Sequence, residues 1–253
     1  MSGLALVARK EVLEQVRTMR LMVVLAVFAS LGLISPVLAR YIREIVQAVG
    51  GDQFQGVIPT PTMADAIAQF TKNVGEFGVF LAVLVTMGAV ATERDRGTAA
   101  FVVTKPISRR AFVTAKVVSI GALLAAGTAV AGILCWIYTT LLFQAPPLAG
   151  YAGAVALVWL SLAVVASITF LASVVARSAM AAGGIGLATM LVAGTLGAIP
   201  VIGPYMPLSL WAAANELAQG SMPANLAGPV IVNGIFVGAM VAVAAWVFGR
   251  EEL

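Results

Sequence analysis

The chain has 253 residues, of which 61% are hydrophobic and only 10% charged. A soluble domain is usually about 45–50% apolar and about 25% charged. A water-soluble globule is therefore excluded, and so is a disordered chain, which needs low hydrophobicity and high charge. The net charge of +4 and mean hydropathy of +1.02 describe a polytopic membrane protein.

In chain order, residues 1–20 form an amphipathic helix. At 100° per residue, Leu6, Ala8, Val12, Leu13, Val16 and Met19 cover one arc, with Arg9 and Arg20 at its edge. Lys10, Glu11, Glu14, Gln15, Arg17 and Thr18 cover the other. Such a helix lies in the membrane interface and anchors the first span, or its polar face also docks a partner. The 19 uncharged residues between Arg20 and Arg40 make the first span, since about 20 apolar residues cross the hydrocarbon core. Arg17 and Arg20 ahead of a run ending Val37-Leu38-Ala39 also fit a cleaved signal peptide. The twenty patterned residues before that run favour a retained span.

An outer loop, residues 40–75, follows. In it Thr62-x-x-Asp65 reads as a capping box. Asp65, Gln69, Lys72, Asn73 and Glu76 recur every three or four residues as one polar face, either solvated or walling an outward vestibule. The second span is short, with 16 uncharged residues between Glu76 and Glu93. Sixty uncharged residues between Lys116 and Arg177 are too many for one helix, and Gln144-Ala145-Pro146-Pro147 divides them, because proline lacks an N–H and ends helices. A Gly-rich fifth span runs from Ala179 to Ile199, and a sixth from about Pro229 to Phe248. Between them, Ser209 is placed to cap a helix 210–219 closed by Gly220. Its ten residues reach about 15 Å, half a bilayer, so this helix is re-entrant or interfacial.

The expected architecture is an all-α polytopic fold, one transmembrane domain over residues 1–253. Its spans lie near 21–39, 74–92, 117–143, 150–176, 179–199 and 229–248. Twelve Lys and Arg fall on the side of the termini. Three (Arg40, Arg43 and Lys72) fall opposite. The positive-inside rule then places both termini in the cytoplasm, and the basic charge is a topology signal, not a nucleic-acid patch.

Apart from Glu76 at the outer edge of the second, the proposed spans contain no Asp, Glu, His, Lys or Arg. Coupled transporters carry such residues at membrane depth, and intramembrane hydrolases need a paired base or nucleophile. The chain has no His and a single Cys, which removes imidazole chemistry, an internal disulfide and a metal cluster. Ser and Thr in the spans are expected to bond the carbonyl one turn back. The chain also lacks a Gly-x-x-x-x-Gly-Lys-[Ser/Thr] loop, so energy for uphill transport must come from another polypeptide. These features exclude an enzyme. They leave open a six-span scaffold or assembly factor with no transport activity.

The segment between spans two and three is the most informative. Thr92-Glu93-Arg94-Asp95-Arg96-Gly97-Thr98 precedes an apolar stretch, 99–103. Thr104-Lys105-Pro106-Ile107-Ser108-Arg109-Arg110 follows, with Lys116 at the start of span three. Gly97 suits a left-handed helix end, Pro106 stops a short surface helix, and Ser108 is placed to cap the next one. These basic residues alone would satisfy the positive-inside rule. Their arrangement resembles the type-2 ABC transporter permeases, in which an acidic-Arg-Gly-Thr stretch precedes Pro-Ile/Val-Ser-Arg and a Lys. The amphipathic first helix, the six spans and the elaborated outer loop resemble that family as well. Among its subgroups, the chain is most similar to permeases of nitrous-oxide reductase maturation and of uncharacterised export operons.

The resemblance implies an exporter subunit in a bacterial or archaeal cytoplasmic membrane, in contact with lipid. It works as a homodimer or pseudo-dimer with an ABC ATPase in trans, which holds ATP and Mg. It implies no cofactor, metal or nucleic acid for this chain. Glu93, Arg94, Arg96, Gly97, Thr98, Lys105, Pro106, Ser108, Arg109 and Arg110 would contact the ATPase. Short outer helices cap the exit path in that family, so Tyr205, Trp211 and Glu216 would belong to an outer gate. Gly183, Gly184, Gly186, Gly194 and Gly197 in span five, and Gly234 and Gly238 in span six, let helices approach closely. They do so within one subunit or across a dimer, and the resemblance favours spans one and five at the dimer seam.

Overall fold

The computed structural model describes residues 10–11, 13–50, 59–92 and 109–250. Among them there is no strand, and six helices are long and apolar enough to cross a membrane. The helices are α1 (Arg20–Gly50), α2 (Met63–Met87), α3 (Arg109–Leu142), α4 (Leu148–Val175), α5 (Ala179–Leu196), α6 (Ser209–Ala218) and α7 (Ala227–Arg250). A 3₁₀ turn, Gly203–Tyr205, lies between α5 and α6. Helical residues 10–11 and 13–17 precede α1. They end at Met19, whose φ of 57° is left-handed, a position usually given to glycine or asparagine at a helix end.

Two helices run beyond the uncharged stretches. α1 continues eleven residues past Ala39, through Arg40, Arg43 and Glu44. α2 begins eleven residues before Val74. The capping box forms: Thr62 Oγ1 accepts from the Asp65 N–H, and Asp65 Oδ2 accepts from the Thr62 N–H at 2.8 Å. The Pro146-Pro147 break separates α3 from α4 as its missing N–H groups require.

α4 is the centre of the bundle. In its most hydropathic window 61% of residues are buried inside the protein, against 17% for α5 and 11% for α7. α5 and α7 are thus peripheral and offer apolar surface outward. α1 packs on α3, where Phe28 is fully buried against Gly127. A side chain at Gly127 would overlap that ring. Close helix approach at a small residue is a main source of packing in lipid, where the hydrophobic effect between helices is absent. Gly183 and Gly186 of α5 pack on Met87 of α2 and Thr169 of α4. Gly184, Gly234 and Gly238 meet nothing within 4 Å.

Residues 10–20, the inner ends of α2 and α4, and the start of α3 share one side of the bundle with the end of α7. Phe112 and Phe248 stack there with centroids 5.4 Å apart. This is called the terminal side below.

Candidate functional site

The residues singled out in the sequence fall in two regions: the terminal side around the α2–α3 segment, and α6 with its approach on the opposite side. Glu93, Arg94, Arg96, Gly97, Thr98, Lys105, Pro106 and Ser108 lie outside the described residues, and Arg109 and Arg110 open α3. The helix ends that this segment joins are held firmly. The N–H groups of Val90 and Ala91 both donate to Ser173 Oγ of α4, at 3.0 and 3.1 Å. One buried hydroxyl thereby satisfies two backbone donors in the turn that follows α2.

The start of α3 is held by a contact that the sequence did not indicate. Lys116 Nζ lies 3.2 and 3.3 Å from the two carboxylate oxygens of Glu11. The two side chains are only 5% and 11% exposed. One turn on, Gln15 Nε2 donates to the Ser119 hydroxyl at 2.7 Å and to the Ser119 carbonyl at 3.1 Å. Glu11 and Gln15 stand four residues apart on one face of the N-terminal helix, as side chains one turn apart do. Part of that helix's polar face therefore docks on the chain's own α3. Leu13, Val16 and Met19 are exposed on the other face, as suits an interfacial helix. Polar residues at i, i+4 were the available signal. Their partner, about a hundred positions away, was not in it.

On the opposite side, α6 lies within the bundle. Trp211 Nε1 donates to Ser161 Oγ at 2.8 Å, and its ring covers Gly75 of α2. Ser161 stands at the middle of the 28-residue α4, 13 residues from its start and 14 from its end, roughly 20 Å from either end at 1.5 Å per residue. Six residues later, Leu217 sits against Gly150, near the start of α4. α6 therefore begins inside the hydrocarbon depth, beside the half of α4 away from the terminal side, and rises out of it. Leu210, Ala214 and Ala218 form its buried stripe.

Polar side chains tie α6 and its surroundings together. The Thr71 hydroxyl of α2 lies 2.8 Å from Asn215 Oδ1. Asn73 Nδ2 donates to Ser35 Oγ of α1 at 2.9 Å, and Asn73 Oδ1 accepts from Gln69 Nε2 at 2.8 Å. The polar face expected on α2 is thus divided. Asn73 is buried toward α1, while Asp65, Lys72 and Glu76 are exposed. Asn233 Nδ2 of α7 donates to the Tyr205 carbonyl at 3.1 Å.

The ends of α6 differ in how they form. Ser209 does not cap it. Its hydroxyl lies 2.7 Å from the carbonyls of Pro204 and Met206, and the first N–H groups of α6 donate to Met206, Pro207 and Leu208. Turns already running from Gly203 satisfy the donors that a cap would serve. Gly220, with φ +86°, closes the other end. Its N–H donates to Leu217 O, and the Ser221 N–H donates to Glu216 O, the two bonds of a Schellman ending.

Tyr205, Trp211 and Glu216 do not converge. Trp211 packs inward on α2 and α4, Tyr205 lies at the start of α7, and Glu216 is exposed.

A bundle of six apolar helices with a half-buried short helix before the last fits a transport subunit, and comparison with known proteins agrees. A family model described as "ABC-2 family transporter protein" matches residues 5–253. An uncharacterized transmembrane protein of Bacillus subtilis (strain 168), YxlG, is 26% identical over 251 residues, with 96% of each chain covered. Given a family match over nearly its whole length, and six helices able to span a bilayer, this chain belongs to the ABC-2 family of transporter proteins and is the membrane component of an ABC transporter.

Proposed function

We propose that the chain is the permease subunit of an ATP-driven exporter. A separate ABC ATPase docks on the terminal side, which faces the cytoplasm of a bacterium or archaeon, and two permeases pair to form the pathway. The family match over residues 5–253 is the observation that carries this reading, since ABC-2 permeases work with an ABC ATPase partner. The ATPase holds ATP and Mg²⁺. The excess of Lys and Arg on the terminal side supports the orientation. The outward apolar surface of α5 supports a seam with a second permease.

Coupling is assigned to residues 93–110. Both helices joined by this segment are anchored, α2 through Ser173 and α3 through Glu11. A push on the segment reaches the bundle instead of being absorbed at a loose helix end. Replacing Arg94, Arg96 and Arg109 together with Ala should abolish co-purification of the ATPase or uncouple its activity from transport, with the permease still inserted. A complex that assembles and couples normally removes the assignment. Purification of the whole native operon's product without any ATPase would remove the exporter reading itself.

Export needs a gate on the far side, and α6 is assigned to it. In a Cys135→Ala background, Glu216→Cys should react quickly with a membrane-impermeant maleimide and Trp211→Cys slowly. Trapping the ATPase with nucleotide should change the rate at Trp211→Cys. Equal, rapid labelling at both positions in every nucleotide state leaves α6 a plain surface helix.

A further inference from the structure

The geometry points to Glu76 of α2 as the counter-ion for a cargo with a cationic head and an apolar body, on a face that borders the pathway between two permeases. This rests on the exporter reading and gives that pathway the chemistry of its cargo. In the sequence Glu76 stands at the outer edge of the second uncharged stretch. Packing sets it deeper. α1 supplies the scale: Arg20 and Arg40 bracket its uncharged stretch, and that separation at 1.5 Å per residue covers about 30 Å, the thickness of the hydrocarbon core. Two contacts carry the scale to α2. Asn73 bonds Ser35, which is five residues inside Arg40. A Cβ at Gly78 would stand 3.5 Å from the ring of Phe28, which is twelve residues inside Arg40. Glu76 lies between Asn73 and Gly78 on α2. Its backbone therefore stands roughly 12–15 Å inside the level of Arg40, about the middle of the core. Side chains of α2 lean toward its outer end, but a glutamate is too short to regain the headgroups from there. Lys72, one turn farther out, reaches them with its longer stem.

At this depth Glu76 does not turn into the bundle. It belongs to an exposed row at i, i+4 spacing, Ala68, Lys72, Glu76, Phe80 and Leu84, that runs along α2. Phe77 beside it is 55% exposed, and Phe80, one turn farther in, 54%. Neither Glu76 nor Lys72 makes an ion pair or hydrogen bond among the described residues. A charge facing lipid tails is costly, and membrane proteins turn such groups to a water-filled cavity or to an opposite charge. Gly183 of α5 packs on Val83 and Met87 at the foot of the row, so the row opens beside the helix assigned to the seam between permeases. A carboxylate flanked by exposed phenyl rings attracts a cation through its charge and through the ring faces. It repels an anion. Leu84 continues the apolar surface on which the body of the cargo would lie.

The full-length permease in lipid nanodiscs is the test material. Tritiated tetraphenylphosphonium, counted against empty nanodiscs, should bind saturably. Tetraphenylborate, the same shape with the opposite charge, should not. Glu76→Gln keeps the size of an exposed side chain and should weaken phosphonium binding about tenfold or more, the low end for an interaction with a charged group. Phe80→Leu should weaken it about threefold, the size of a cation–π contact at a wet site. Lys72→Gln should leave it unchanged or tighter. In a Cys135→Ala background, Glu76→Cys should react with a membrane-impermeant maleimide. Phosphonium binding that Glu76→Gln leaves intact overturns the site, as does equal saturable binding of the borate. A thiol at position 76 that never reacts places the side chain in lipid and overturns the pathway face. Oxidative cross-linking of Lys72→Cys to Glu76→Cys between two co-expressed copies makes a second copy's lysine the counter-charge and overturns the cargo assignment. The binding assay uses no ATP, so the two readings fail separately. A coupled transporter whose Glu76→Gln variant binds phosphonium as before overturns the site alone. Absence of any ATPase from the native complex, with Glu76-dependent binding intact, overturns the exporter reading alone.

Discussion

Glu11→Ala is expected to destabilise the protein by about 3–5 kcal/mol, the usual cost of removing one partner from a buried ion pair. It takes away the carboxylate facing Lys116 Nζ, whose side chain is 5% exposed. The neighbouring Lys10–Glu14 pair gives the contrast. Its side chains are 53% and 39% exposed, and pairs of that kind contribute about 0–1 kcal/mol. Glu14→Ala should therefore be nearly silent. Lys116→Met should cost less than Glu11→Ala, because Glu11 keeps Lys10 at 3.4 Å at the wet edge of the site. The double variant Glu11→Leu, Lys116→Met should regain most of the loss, since a desolvated pair replaced by apolar side chains is often neutral. Thermal unfolding of the four variants in nanodiscs measures this order. A double variant no better than Glu11→Ala alone would show that Glu11 acts through something other than Lys116. The pair also bears on function. It fixes the N-terminal helix to the base of α3, one of the two helices joined by the segment to which we assign coupling.

The six-helix architecture was legible because it rests on local signals. Long uncharged stretches mark membrane crossings, Pro146-Pro147 removes backbone donors, and Thr62-x-x-Asp65 and Gly220 carry their cap geometry within a few residues. Helix limits were less legible, for a physical reason. A charge shows where a span leaves hydrocarbon, but it does not stop a helix. Arg40, Arg43 and Glu44 are good helix formers, so α1 continues through them into the aqueous zone. Ser209 shows the opposite case: a good capping residue is idle where the preceding turns already supply the carbonyls. The Glu11–Lys116, Trp211–Ser161 and Asn73–Ser35 contacts join residues 105, 50 and 38 positions apart. No periodicity in one sequence pairs such positions.

Trp211→Ala should be the most damaging single change on the side opposite the termini. A Trp or Phe truncated to Ala in a core costs about 3–5 kcal/mol. In lipid the transfer part of that cost shrinks, because the surroundings are as apolar as the core, and the lost packing against Gly75 and α4 remains. We expect roughly half of the soluble-core figure. The hydrogen bond itself is the smaller part, since Ser161 Oγ already lies 2.7 Å from the Val158 carbonyl and is not stranded. Trp211→Phe keeps most of the ring and loses only the N–H, about 0.6 kcal/mol for an average bond between membrane helices. The expected order is therefore wild type, then Phe close below it, then Ala well below. Gly75→Ala should approach the Ala variant from the other side, because its Cβ would stand 2.8 Å from the Trp211 ring. Stability alone does not separate a seat from a gate, and accessibility does. Ala214 faces the bundle and is fully buried, so Ala214→Cys should be protected from an impermeant maleimide while Trp211 is in place. Adding Trp211→Ala should expose it, at a rate that follows the loosening of α6. If Ala214→Cys stays protected although the protein is destabilised, α6 is held by its other contacts, at Thr71, Gly150 and α7. Trp211 would then be a packing residue in a segment that does not swing.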